Sequence, residues 1–250
     1  MKKIVQIFCG FFVLTCLSPA LSVAGEKWDF VIAPYALLPN ITGDTSVGRL
    51  EDANIDVGTT DILNTLELGA MIQLEARHES GYGVIMAYNF MDLSGELTEP
   101  AGLNTLGADI YQGIFEGFGA YRLTMESGSL DFYGGVRWWD MDVDVNVSGV
   151  QKVKNRADWI DPVIGVHWMP QIADNWRLMV KGDIGGFGIA SDFTWNLQGG
   201  FAWDATDYLS LVFQYRVLSV DYSSGSVGTP ERFTYDTITH GPLFGLAFHL

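Results

Sequence analysis

Glu67-Leu68-Gly69-Ala70-Met71-Ile72-Gln73-Leu74-Glu75-Ala76-Arg77 sorts into two faces when read with a period of two. Leu68, Ala70, Ile72, Leu74 and Ala76 fall on one side; Glu67, Gly69, Met71, Gln73, Glu75 and Arg77 fall on the other. A helix would scatter these sets around its circumference, whereas successive side chains of a strand point to opposite faces. The pattern recurs. Trp176, Leu178, Val180 and Ile184 oppose Arg177, Met179, Lys181 and Asp183. Phe193, Trp195, Leu197, Phe201 and Trp203 oppose Thr194, Asn196 and Gln198, and Leu211, Phe213, Tyr215 and Val217 oppose Ser210, Gln214 and Arg216. Long strands with one apolar and one charged face predict a barrel in lipid; in a soluble sandwich the strands would be shorter.

The connections agree. Glu79-Ser80-Gly81, Met125-Glu126-Ser127-Gly128, Ala173-Asp174-Asn175 and Ala205-Thr206-Asp207 read as tight turns. Longer polar segments alternate with them: Thr45 to Leu66, Thr98 to Leu106, Ser148 to Arg156 and Ser224 to Glu231. Short turns on one rim and long loops on the other are the two ends of an outer-membrane barrel. The spacing predicts an all-β, antiparallel, up-and-down transmembrane barrel of about ten strands, with eight or twelve as alternatives. They fall near 28–43, 67–78, 82–97, 107–123, 129–147, 157–170, 175–188, 191–204, 208–223 and 232–250, with both termini in the periplasm. Segment 45–66 has room for a further strand, or a short helix around Asp61 to Leu66.

Composition sets the boundaries. The chain has 250 residues, 48% hydrophobic and 18% charged, with 29 Gly and 8 Trp, which argues against disorder and against a coiled coil. Lys2 and Lys3 precede an apolar run from Ile4 to Leu17, and small residues at Ser22 and Ala24 suit signal-peptidase cleavage. Residues 1–24 are therefore expected to be a signal peptide, and 25–250 one barrel domain in the cell outer membrane. Cys9 and Cys16 both fall in the leader, so the mature chain is expected to carry no thiol and no cysteine metal site. Without Lys2 and Lys3, 12 basic residues face 30 acidic ones, a charge of −18. Such a surface excludes nucleic acid as a partner.

Several motifs resemble a family of small proteobacterial outer-membrane β-barrel proteins, mostly without assigned function. They are Asp161-Pro162-Val163-Ile164-Gly165, Gly182-Asp183-Ile184-Gly185-Gly186-Phe187-Gly188, Ser191-Asp192-Phe193-Thr194-Trp195, Tyr215-Arg216-Val217-Leu218 and Gly241-Pro242-Leu243-Phe244-Gly245. The resemblance covers the second half of the chain by motif and the first by pattern alone. It implies fold and location, and no activity. The ending Phe244, Leu246, Phe248, Leu250 is similar to the signal read by the outer-membrane insertion machinery, with Leu where Phe is usual.

Four constellations invite chemistry. The glycine-rich Gly182–Gly188 has no following helix and no lysine to close a phosphate loop, so it reads as a tight bend between strands. Asp140, Asp142, Asp144 and Asn146 share the outward face of Val136 and Trp138; this reads as a strand leaving lipid at an aromatic girdle, with a divalent-cation bridge to lipopolysaccharide phosphates as the alternative. His78, His167, His240 and His249 lack metal-ligand spacing, so no metal and no cofactor is expected. His78-Glu79-Ser80 invites a hydrolase triad, but at a periplasmic turn, away from lipid A.

The inward faces hold the remaining candidates: Glu75, Arg77, Glu116, Arg122, Arg137, Asp161, His167, Arg177, Lys181, Asp183 and Arg216, with the amides Gln73, Gln112, Asn196, Gln198 and Gln214 among them. In a barrel of about ten strands the interior is narrow, and such groups are expected to cross-link into a polar lattice. The alternative is a narrow pore in which Arg137, Arg177, Lys181 and Arg216 meet an anionic solute. The sequence thus points to a non-enzymatic, monomeric outer-membrane barrel with a narrow or plugged polar lumen that passes or binds small solutes. Its expected partners are outer-membrane lipids, lipopolysaccharide and the insertion machinery. A lipid A or phospholipid-modifying enzyme is the alternative.

Overall fold

Ten staves of antiparallel sheet close on themselves in a computed structural model that describes residues 27–48, 50–98, 105–147 and 150–250. The strands are β1 (Trp28–Leu37), β2 (Asn40–Val47), β3 (Leu50–Val57), β4 (Leu66–His78), β5 (Tyr82–Thr98), β6 (Thr105–Met125), β7 (Gly128–Val147), β8 (Val150–Ala173), β9 (Trp176–Gly185), β10 (Phe193–Thr206), β11 (Leu209–Ser224) and β12 (Phe233–His249). From β4 to β12 each strand pairs with the next, and β1 pairs with both β4 and β12, which closes the ring. β1 and β2 form one stave: β1 pairs with the end of β12 and β2 with its beginning. Leu38-Pro39 separates them, because proline has no N–H to give to a ladder. The expected leader, with Cys9 and Cys16, lies outside the described residues.

The apolar faces point outward. Ile72, Val84, Met86, Phe132, Val136, Ile160, Ile164, Val166, Leu197, Phe201, Phe213, Phe244 and Leu246 are all exposed, and Ile164 keeps 57% of its surface free. Near the short-turn rim, Trp28, Tyr82, Tyr121, Trp168, Trp176, Trp203 and Tyr208 surround this belt. An apolar band with an aromatic girdle on a closed sheet is a lipid-facing surface, and closure leaves no unpaired backbone edge in it.

Two segments depart from the sequence expectation. Segment 45–66 is not a loop: it holds the end of β2, all of β3 and a short helix, α1 (Thr59–Thr65), so both elements left open as alternatives are present. β3 pairs with β2 alone among the described strands, and α1 packs Ile62 against Ile41 and Leu93, with Ile55, Val57 and Met91 around it. The other departure is the expected loop from Ser148 to Arg156, where β8 already begins at Val150. Its register sets Asp142 opposite Arg156, Asp144 opposite Lys154 and Asn146 opposite Lys152. Asp142 and Arg156 are opposite charges at paired positions of neighbouring strands, an arrangement that supports the pairing.

Candidate functional site

The inward faces build three levels along one lumen. At the long-loop end the lumen is filled with apolar side chains: Ile114, Trp139, Met141, Val143, Ala157, Trp159, Leu218, Val220, Phe233 and Tyr235 form one buried cluster. Trp159 is its centre, stacked on Tyr222 at 3.8 Å between ring centroids and on Trp139 at 5.4 Å. Buried indole N–H groups need acceptors. Both find Asp161: Trp139 Nε1 donates to its Oδ2 at 3.0 Å and Trp159 Nε1 at 3.2 Å. The turn after β9 carries Ser191 into the lumen, where its backbone N–H donates to Asp161 Oδ1 at 2.9 Å and its hydroxyl to Oδ2 at 2.7 Å. Gly186 permits this turn: its φ is +80°, and a Cβ there would meet the Ser191 carbonyl at 2.7 Å.

Beneath the plug lies an ionic floor. Arg137, 0% exposed, donates from Nε to Glu116 Oε1 at 2.7 Å and from Nη2 to Asp183 Oδ1 at 3.0 Å. Arg216 donates to Glu116 Oε1 at 3.3 Å and to Asn196 Oδ1 at 3.0 Å. Asp183 Oδ2 also accepts from Asn196 Nδ2 at 2.8 Å and from the Tyr133 hydroxyl at 2.9 Å. Tyr133 reaches that far because its cross-strand neighbour is Gly165; a Cβ there would lie 2.5 Å from the tyrosine ring. Charges held this way, each with several partners, satisfy one another in a low-dielectric interior.

Below the floor is a chamber of about 480 Å³ that reaches the short-turn rim at Asp29, Asp207 and Leu250. Along β11 it runs from Ser210 to Arg216, about 20 Å at roughly 3.4 Å per residue. Its walls mix Met169, Met179, Val212 and Leu243 with Glu75, Arg77, Arg122, His167, Lys181 and Gln198. Arg122 grips Asp131 with two hydrogen bonds, 2.7 and 2.8 Å, and Arg77 adds a third at 3.0 Å while holding Glu75 at 3.2 Å. At the rim Arg177 pairs with Asp204 at 2.6 Å, and the Ser210 hydroxyl touches Asp204 Oδ1 at 2.6 Å and His249 Nε2 at 2.8 Å.

Every residue singled out for the lattice therefore lies inside the barrel, but not in one network. Arg137, Asp183, Glu116 and Arg216 meet in the floor, and Asp161 belongs to the aromatic plug. Glu75, Arg77, Arg122 and Lys181 line the chamber, and Arg177 stands at the mouth. His167 is buried beside Lys181, which it faces across the β8–β9 ladder. The Glu67 side chain lies outside the described residues. Asp131, Asp204, Tyr133 and Ser191 were not singled out by sequence. Asp131 had a signal: it alternates with Arg137 on β7, an even number of residues away. Ser191 had none, because it sits in a turn with no period.

Other candidates lie elsewhere. Asp140, Asp142 and Asp144 follow Trp138 on the outward-facing register of β7, and Asp140 pairs with Arg156 at 3.1 Å. No group of three or more His, Cys, Asp or Glu side chains suited to hold a metal occurs among the described residues. His78 Nδ1 lies 2.7 Å from Ser80 Oγ on the exposed turn, but Glu79 pairs with Lys27 instead of completing a triad.

The chain has the fold of an outer-membrane β-barrel. Among solved structures it is similar to the outer-membrane protease OmpT of Escherichia coli, with 8% identity over 91% of this chain and 98% of that one, and a TM-score of 0.51. The translocator domain of the autotransporter NalP from Neisseria meningitidis aligns over 91% of this chain and 90% of that one, with 10% identity and a TM-score of 0.49. No protein-family description and no curated protein matches the sequence. Likeness at this level of identity concerns the fold and carries no activity.

Proposed function

We propose that the protein is a non-enzymatic, monomeric barrel of the outer membrane, plugged at mid-lumen, with a chamber that binds small solutes from the periplasmic side. The observation that carries this reading is the uninterrupted stack of Trp139, Trp159 and Tyr222 above the Arg137–Glu116–Asp183 floor. Above Arg216 lies a small pocket of about 30 Å³, lined by Met71, Asn89, Gln112 and Ile114 among others. Short turns and the strand ends at Trp28 and His249 mark the chamber's rim as periplasmic by the rule for such barrels. Membership of the small proteobacterial barrel family, contact with lipopolysaccharide through the outer surface, and delivery through the β12 signal belong to the same reading.

A lipid-modifying enzyme is favoured by one contact, Ser210 Oγ to His249 Nε2 at 2.8 Å. Against it, Asp204 engages the serine hydroxyl, where a triad carboxylate would orient the imidazole. Planar-bilayer recording of the refolded barrel tests the main reading: it should show no steady conductance. Mass spectrometry of lipid A and phospholipids from overexpressing cells tests the alternative, and should show no new species. A conducting barrel, or a modified lipid that disappears with Ser210→Ala, would overturn the proposal.

A further inference from the structure

The chamber's cations are not equivalent. Arg77 and Arg122 hold Asp131, Arg177 holds Asp204, and Arg216 holds Glu116. Lys181 is different. It is 6% exposed, lines the chamber, and lies with its Nζ 5.2 Å from the Tyr133 ring and 5.7 Å from the Phe118 ring. Among the described residues its ammonium makes no ion pair and no hydrogen bond. His167, its cross-strand neighbour, is likewise buried, and its Nε2 has no hydrogen-bond partner. His167 Nε2 is closed off from the chamber, whereas the Lys181 ammonium stands on its wall, and an unpaired ammonium at a cavity wall calls for a partner that enters it.

We propose that the chamber binds a small organic monoanion, a carboxylate on an apolar body, with Lys181 holding the carboxylate. The assignment deepens the plugged-barrel reading and rests on it. Away from the rim, where Asp29 and Asp207 stand, Arg77 and Arg122 are balanced by Glu75 and Asp131, and Arg137 and Arg216 by Glu116 and Asp183, so among the described residues Lys181 is the one inner cation without a paired carboxylate; a single ammonium matches a single negative charge better than a phosphate dianion. The ammonium, with three donors, takes the carboxylate in a charge-assisted hydrogen bond. Met169, Met179, Val212 and Leu243 supply an apolar wall for the rest of the molecule. A space of about 480 Å³ lies within the usual range for ligand pockets.

The test is calorimetric titration of the refolded full-length barrel in detergent with 2-naphthoate. 2-Naphthamide serves as the uncharged control and inorganic phosphate as competitor. Naphthoate should bind saturably with one site per chain, and naphthamide and Lys181→Met should each weaken binding by about 10- to 100-fold. Lys181→Met should keep its unfolding midpoint, which a cation with a structural role would not. If that variant fails to refold, Val212→Phe, which fills the chamber without touching an ion pair, must abolish binding. Equal binding by Lys181→Met, or displacement of naphthoate by equimolar phosphate, overturns the assignment. A silent barrel that binds no naphthoate removes this inference alone, whereas a conducting barrel removes the plugged reading with it.

Discussion

The two halves of the lumen are lined by the same alternating strands and solve opposite problems. Toward the long loops the inward residues are large and apolar, and their few polar atoms converge on one carboxylate, Asp161. Toward the short turns the inward residues are long and charged, and they leave a chamber of about 480 Å³. The difference lies in charge density, not in barrel diameter. Ten staves enclose too little space for bulk water beside a double layer of tryptophans, but enough beside pairs of extended arginines and carboxylates. The ionic floor is the boundary, where a charge is fully buried yet adjoins a wet space.

The largest expected effect tests that boundary. Arg137→Ala strands Asp183 without a cation, leaves Glu116 with Arg216 alone, and should cost about 3–5 kcal/mol in urea unfolding from lipid vesicles. Arg177→Ala at the mouth removes a partly exposed pair with Asp204 and should cost below about 1 kcal/mol. Equal losses would erase the distinction between the two halves. Trp159→Ala is of similar size, about 3–5 kcal/mol. It also removes the centre of the plug, so bilayer recordings of this variant should show conductance where the parent is silent. Silence from a folded Trp159→Ala barrel would assign closure to the floor alone.

The next effect compares inside with outside. Leu197, 50% exposed on the lipid face of β10, should cost about 2–4 kcal/mol as Leu197→Arg, whereas Val227→Arg, in the loop before β12, should change little. Equal tolerance at both positions would show that the outer belt does not face lipid. The smallest effect concerns the contact beneath Gly165. Gly165→Ala pushes a methyl into the Tyr133 ring and should cost about 1–3 kcal/mol, with Tyr133→Phe partly relieving it in a double-mutant cycle. Additive losses would mean that the tyrosine does not depend on the glycine for its place.

Much of the wall could be read from the chain. Period two fixes which side chains of a strand share a face, so Arg137, Asp183 and Arg216 could be set inside from their neighbours alone. The pairing of one strand's charge with another's could not. Arg137 finds Glu116 directly across the β6–β7 ladder, but Asp183 only past the intervening strand β8. The start of β8 was missed, although β7 was placed to 147, because residues 150–156 are mostly polar at both alternating sets of positions, where periodicity carries little signal. The helix α1 was open as one of two alternatives, since seven residues are too few for a pattern to declare itself.

The quoted motifs illustrate the division. Asp161 and Gly165, Asp183 and Gly186, Ser191 and Thr194, and Arg216 and Leu218 are separated in sequence, yet all contact the plug or its floor. By itself the sequence determined that the chain forms long strands with a lipid face and a polar face, because alternation is a local property of the backbone. Only the tertiary structure decided that the lumen is dry at one end and open at the other, and that Lys181 stands apart from its neighbours. Those properties depend on which strand ends meet across the barrel, and closure, not any local pattern, brings them together.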